Sequence, residues 1–277
     1  VDDALEPGAV EPGDSPDPGY FGPGSITWRV HGDLGMFPAG LTALMLQALH
    51  PRALAGVLRG SAFREDPQGR LARTAQWVGL STYGPRPEVD RLAAKIRRIH
   101  RRLGVDEPDL LLWVHVTGAV AFVTGTRACG LALTDAEVDR YYDEQVRTAT
   151  LMGIDAAVVP RSQAEVAAYL RAVRPELRAG PAARDVLRFL TVPPMAGWVR
   201  YGTPAGAAWA GLAGVGFGLL PGWARRMYGG PLAALPGSGL SAAVAGRALR
   251  ATAGVTLPAR FREGPQKVSA RTRLGLT

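Results

Sequence analysis

At 277 residues the chain is long enough for one large domain with a full hydrophobic core, or for two small ones. A composition of 47% hydrophobic and 20% charged residues excludes a disordered protein, and 35 glycines and 22 prolines with no Gly-X-Y period promise many turns but exclude collagen. The net charge of +8, carried almost wholly by arginine, permits attraction to nucleic acid, anionic lipid or a propionate-bearing cofactor without choosing among them. Cys129 is the single cysteine, which rules out an intrachain disulfide framework and a cysteine-only zinc site. Four histidines, His31, His50, His100 and His115, bound the remaining metal and redox chemistry.

Residues 1–27 are acidic and rich in Pro and Gly, with neither the basic start nor the apolar middle of a signal peptide, and read as an extended arm. Residues 28–258 read as one helical domain and 259–277 as a basic tail. Leu41, Leu44, Met45, Ala48 and Leu49 mark a helix ending near His50-Pro51, where His50 is expected as a C-terminal cap. A second helix is predicted from Gln68 to Leu80, ending in a turn from Thr82 to Pro87. The next carries Val89, Leu92, Ala93, Ile96, His100 and Leu103 and stops at Gly104. Leu110 to Gly125 is apolar on every side, the mark of a helix in the middle of a bundle. Capping boxes at Thr134–Glu137 and Ser162–Glu165 open two more helices, and another runs from Ala182 to Leu190 before Pro193-Pro194.

Tyr201 to Ala224 contains no charge and has the length of a membrane span. Pro204, Pro221 and five interior glycines make a buried, broken helical hairpin the preferred reading, with peripheral membrane contact as the alternative. A last helix is expected from Leu240 to Thr252. Strand alternation is missing, so the fold class is all-α.

No GxSxG elbow, P-loop, strand-linked GxGxxG or HExxH is present. Arg97-Arg98 and Arg101-Arg102 read as the solvated back of an amphipathic helix, so no nucleic-acid partner is expected. Histidine remains. His100 lies on the inward face with Ile96 and Leu103, and an inward imidazole needs a hydrogen bond, a metal or a haem iron. His115 sits among Leu111, Leu112, Val114 and Phe122. His31, in an expected loop, is given no role. Arg70 and Thr74, four apart, share a helical face that presents a guanidinium and a hydroxyl together.

The ordered set of His50-Pro51, Phe63 to Thr74, Ile99-His100, Leu110 to His115, the Thr134 capping box with Tyr141-Tyr142, and Leu219 to Arg225 resembles one family. It is the MpaB-type oxygenase family, whose domain is shared with the rubber oxygenases called latex clearing proteins. The resemblance implies a globin-reminiscent helical bundle enclosing a b-type haem, and oxidation of a small apolar or aromatic substrate with dioxygen or peroxide. It implies His100 as the iron ligand and Arg70, Arg73, Thr74 and Trp113 beside the cofactor, with Arg70, Thr74 and His115 in catalytic roles. His115 is the rival iron ligand. Where the rubber oxygenases carry a lysine before the threonine, this chain has Arg73, a poor iron ligand, so an open or water-bound distal position is expected. Gly104 stands where they carry an arginine, and with Arg73 it argues against rubber-like substrates. The alternatives to an oxygenase are a non-enzymatic haem-binding or sensing protein, and a haem-free basic helical protein of the membrane surface. The expected location is cytoplasmic, with membrane association as its alternative, and the Ala, Gly, Arg and Pro content resembles a high-GC bacterial coding sequence.

Overall fold

The structure is a computed structural model and describes residues 16–59, 67–230, 238–256 and 263–276. Among them are α-helices and two short 3-10 turns, with no strand, so the all-α expectation holds. In chain order the helices are α1 (Ile26–His31), α2 (Met36–Gln47), α3 (Pro51–Arg59), α4 (Pro67–Tyr83), α5 (Arg86–Leu103), α6 (Pro108–Ala128) and α7 (Asp135–Leu151). They continue with α8 (Gln163–Val173), α9 (Pro181–Thr191), α10 (Gly197–Gly202), α11 (Ala205–Gly218), α12 (Gly222–Tyr228), α13 (Ser238–Thr256) and α14 (Pro265–Arg273).

The apolar α6 runs through the middle of the bundle. Its start is fixed by Pro108 and Asp109 and its last turn carries Arg127, so both ends suit the helix dipole. It packs along α2, where Trp113 is fully buried and its indole N–H donates to the Gln47 carbonyl at 3.1 Å. Gly125 lets the two backbones meet: a Cβ there would lie 2.7 Å from the Ala39 Cβ. Alone among the described helices, α6 is long and apolar enough to cross a membrane, yet 67% of its most apolar stretch is buried in the bundle. The uncharged stretch from Tyr201 is divided among α10, α11 and α12, with a 116° bend between the last two, so the break is as expected. It is not buried throughout: Tyr201 and most of the first half of α11 are exposed, and only the second half packs into the bundle.

Of the two predicted capping boxes, the first forms in full and the second only in half. Thr134 Oγ1 accepts the Glu137 N–H and Glu137 returns to the Thr134 N–H at 2.8 Å. Ser162 caps α8 likewise, but Glu165 accepts from the Arg161 N–H, one residue earlier than expected. Helix α4 runs to Tyr83, three residues past the predicted end, because the Thr82 hydroxyl bonds back to the Val78 carbonyl at 2.7 Å and Tyr83 is buried against Trp28. Gly104, at φ +60°, ends α5 as predicted.

The described part of the N-terminal arm is pinned to α5: Tyr20 donates to Asp90 at 2.6 Å and the Arg86 N–H donates to Asp17 at 2.7 Å. Residues 1–15 lie outside the described residues. Within the basic tail, α14 docks on α4, burying Ala270 against Trp28 and Tyr83 while Arg273 donates to the Tyr83 carbonyl at 2.7 Å.

Candidate functional site

The predicted site residues fall on three consecutive helices. Arg73 and Thr74 are exposed on α4; Arg70 lies on the same helix, but its side chain is outside the described set, as is the run from Phe63 to Asp66. His100 is half-buried in the last turn of α5, and its carbonyl accepts the Val105 N–H at 3.0 Å. The apolar neighbours of His100 are not covered: Ile99 is 43% and Leu103 39% exposed. Arginines 91, 98, 101 and 102 form the solvated back that the sequence predicts, whereas Arg97 turns in and donates to the Leu151 carbonyl.

His115 is half-buried on α6, in a stripe with Leu111, Gly118 and Phe122 at i−4, i+3 and i+7. Among the described residues no hydrogen bond reaches its ring. Burial holds its pKa down at about 4, so the imidazole is neutral at physiological pH with a lone pair to offer. Helices α4 and α5 pack on each other, α4 on α1 and α5 on α7, and among the described residues neither has an extended contact with α6. His100 and His115 are each half-buried, on the two helices that the short 104–107 connection joins.

The other two histidines are spoken for. His50, expected as a C-terminal cap, instead opens α3: its Nδ1 accepts the Ala53 N–H at 3.4 Å, because Pro51 starts a new helix. Its ring is 3% exposed and stands 5.7 Å from the Trp113 ring. His31 is the residue that sequence reasoning missed. It lies in α1, not in a loop, and bonds Thr82 at 2.7 Å and Tyr141 at 3.0 Å. Because Thr82 gives its proton to the Val78 carbonyl, it accepts from His31 Nδ1–H, which leaves Nε2 to accept from the Tyr141 hydroxyl. Burial pushes the His31 pKa down to about 3. Phe122 packs edge-on to this ring at 5.4 Å, so the far end of the His115 stripe rests on the His31 node.

Trp113 and Trp77 belong to the core. The first is closed in the α2–α6 seam; the second packs with Leu80 on Val89, Ala93 and Leu151. Among the described residues no three His, Cys, Asp or Glu side chains gather as a metal site. A haem requires none, since the macrocycle brings its own equatorial nitrogens and asks the protein for an axial ligand. The partly covered imidazoles, flanked by uncovered aliphatic side chains, fit that demand.

Residues 28–255 match the family model described as ER-bound oxygenase mpaB/B'/Rubber oxygenase, catalytic domain. The chain belongs to this family. No curated protein and no solved structure matches it. Membership of an oxygenase catalytic-domain family supports the oxygenase-like activity that the resemblance implied, on the all-α frame described above.

Proposed function

We propose that this oxygenase domain is haem-dependent, using a b-type haem and dioxygen or peroxide to oxidise a small apolar or aromatic substrate. The observation that carries the reading is the pair of half-buried histidines on α5 and α6, facing apolar side chains that the bundle leaves partly uncovered. When bound, the haem supplies the redox-active iron that activates the oxidant. His100 would hold that iron. Its place next to the α5 C-terminus favours a well-oriented ring, because Gly104 fixes the last turn. His115, neutral and with no hydrogen bond to its ring among the described residues, would accept a proton or a hydrogen bond at a ring nitrogen. Arg70 and Arg73 would offer fixed charge to the haem propionates and Thr74 a small hydroxyl donor. Trp113 would stiffen the wall from behind, since its N–H is already given to Gln47. The apolar stripe of Leu111 and Phe122 with exposed Val114, Ile99 and Leu103 suits an apolar substrate.

An absorption spectrum of the haem-reconstituted protein tests this, beside His100→Ala and His115→Ala. A Soret band in the wild type that is lost in the His100 variant and kept in the His115 variant is the expected result. Loss with His115→Ala alone transfers the ligand to α6, and no band in the wild type ends the haem reading.

A further inference from the structure

The charge of this chain is not spread over it. Residues 186–262 contain no Asp or Glu and eight arginines, which equals the net charge of the whole chain, +8, so the rest sums to neutrality. The described part of that segment forms the end of α9 and α10 through α13. The same segment holds the three most exposed large apolar side chains among the described residues: Tyr201 at 87%, Trp198 at 74% and Leu240 at 72%. Val244 follows at 61% on the turn after Leu240. These helices are neighbours: α10 packs on α11, and α11 on α13 and α2. Through that last contact Phe37, 62% exposed, joins them, because Gly216 of α11 lies against the adjacent Pro38 carbonyl.

We infer that the α10–α11–α13 face is a docking surface for a lipid bilayer carrying anionic phospholipid. Each part of the face has the chemistry of that partner. Trp and Tyr place an apolar ring in the acyl boundary and a polar edge among the headgroups. Leu240 and Val244 project from the outer side of α13, as in a helix lying in the interface plane. Arg226 and Arg247 are exposed with no acidic residue in their own segment, and Arg247 borders an open recess of about 730 Å³ whose other two arginines, Arg127 and Arg250, are paired with Asp135 and Asp33. Such a field attracts anionic headgroups and repels a second copy of itself. Nucleic acid would use the arginines and aromatic rings, but has nothing to offer Leu240 and Val244. The inference stands on surface chemistry and is independent of the haem reading.

Flotation of the full chain with vesicles is the test. Vesicles of phosphatidylcholine with about 30% phosphatidylglycerol should carry the protein at low salt, whereas pure phosphatidylcholine should not. Raising salt toward roughly 0.5 M should release most of it. Arg226→Glu with Arg247→Glu should weaken vesicle binding by at least about tenfold, and Trp198→Ser with Tyr201→Ser should do so to a similar degree. Arg91→Glu with Arg98→Glu, exposed on α5, should leave it unchanged; circular dichroism checks that all three pairs stay folded. Equal weakening by the α5 pair, or absence of flotation, overturns the proposal. So does binding of a single-stranded oligonucleotide in place of vesicles, or a concentration-dependent dimer that the Trp198 and Tyr201 substitutions abolish.

Discussion

Along its α2 side, helix α6 is closed to within van der Waals contact: Trp113 has no exposed surface and Gly125 leaves no room for a methyl group. Along the neighbouring stripe Leu111, His115 and Phe122 are only half-buried, although Gly118 between them is buried, and Val114 is 39% exposed. One helix thus meets two standards of packing. The seam is where burial stabilises the fold. On the stripe Leu111 and Phe122 stay half-buried beside the His115 imidazole, which no hydrogen bond reaches among the described residues. That asymmetry separates residues that hold the domain together from residues that, under the proposed function, stay available for a bound group.

The largest effect should come from the seam. Trp113→Ala removes a fully buried indole and its bond to Gln47, and should cost about 3–5 kcal/mol in denaturant unfolding of the haem-free protein. Leu111→Ala, half-buried on the stripe, should cost clearly less under the same conditions. Equal losses would mean that the stripe is as much a part of the core as the seam.

Next in size is the polar node under the stripe. Tyr141→Phe withdraws the donor to His31 Nε2 and leaves a buried acceptor unsatisfied, at a cost of about 1–3 kcal/mol. His31 and His115 make a second comparison here, since both are held neutral by burial but only His31 is bonded at both nitrogens.

Acid should distinguish them. An imidazole held at about 4 in the folded chain takes up its proton near 6.5 when unfolded, so its contribution is complete above pH 6.5 and is lost as pH falls toward 4. For His31 the loss continues toward pH 3. His115→Leu should therefore flatten the fall in stability between pH 6.5 and 4 while leaving the part below pH 4 in place. Unfolding free energies at pH 7, 5 and 3.5 measure this, and an unchanged slope above pH 4 would show that His115 is solvated rather than buried.

Much of this was readable from local chemistry. The Thr134 and Ser162 boxes, the Gly104 stop and the apolar α6 each depend on residues within a turn or two of one another, so the pattern determines them. His100 and His115 stood out for the same reason, as polar residues among apolar ones at helical spacing, though the face of His100 expected to point inward is only partly covered, with Leu103 39% exposed. His31 was not, because its partners lie 51 and 110 residues away and no local spacing announces them. His50 misled because a histidine before proline suits the end of one helix and the start of the next equally well. The partial cover of the stripe was also out of reach: it depends on α4 and α5 packing toward α1 and α7 rather than along α6.

The smallest expected effect carries the sharpest form of the comparison, because it asks the same question of two glycines on one helix. At Gly125 a Cβ would meet Ala39 Cβ at 2.7 Å and Ala39 Cα at 3.2 Å, and a backbone atom cannot yield cheaply. At Gly118 it would meet only Gln47 Nε2 at 3.8 Å and Phe122 Cε2 at 4.0 Å, which is ordinary contact. Gly118→Ala should then raise the stability of the haem-free chain by up to about 1 kcal/mol through helix propensity, while Gly125→Ala lowers it. The added methyl at Gly118 also projects into the stripe beside His115, so haem titration should show weaker uptake by this variant despite its greater stability. Stability and uptake moving in opposite directions would mark the stripe as the ligand side of α6. If both rise together, Gly118 faces away from the bound group and the site must lie nearer α5.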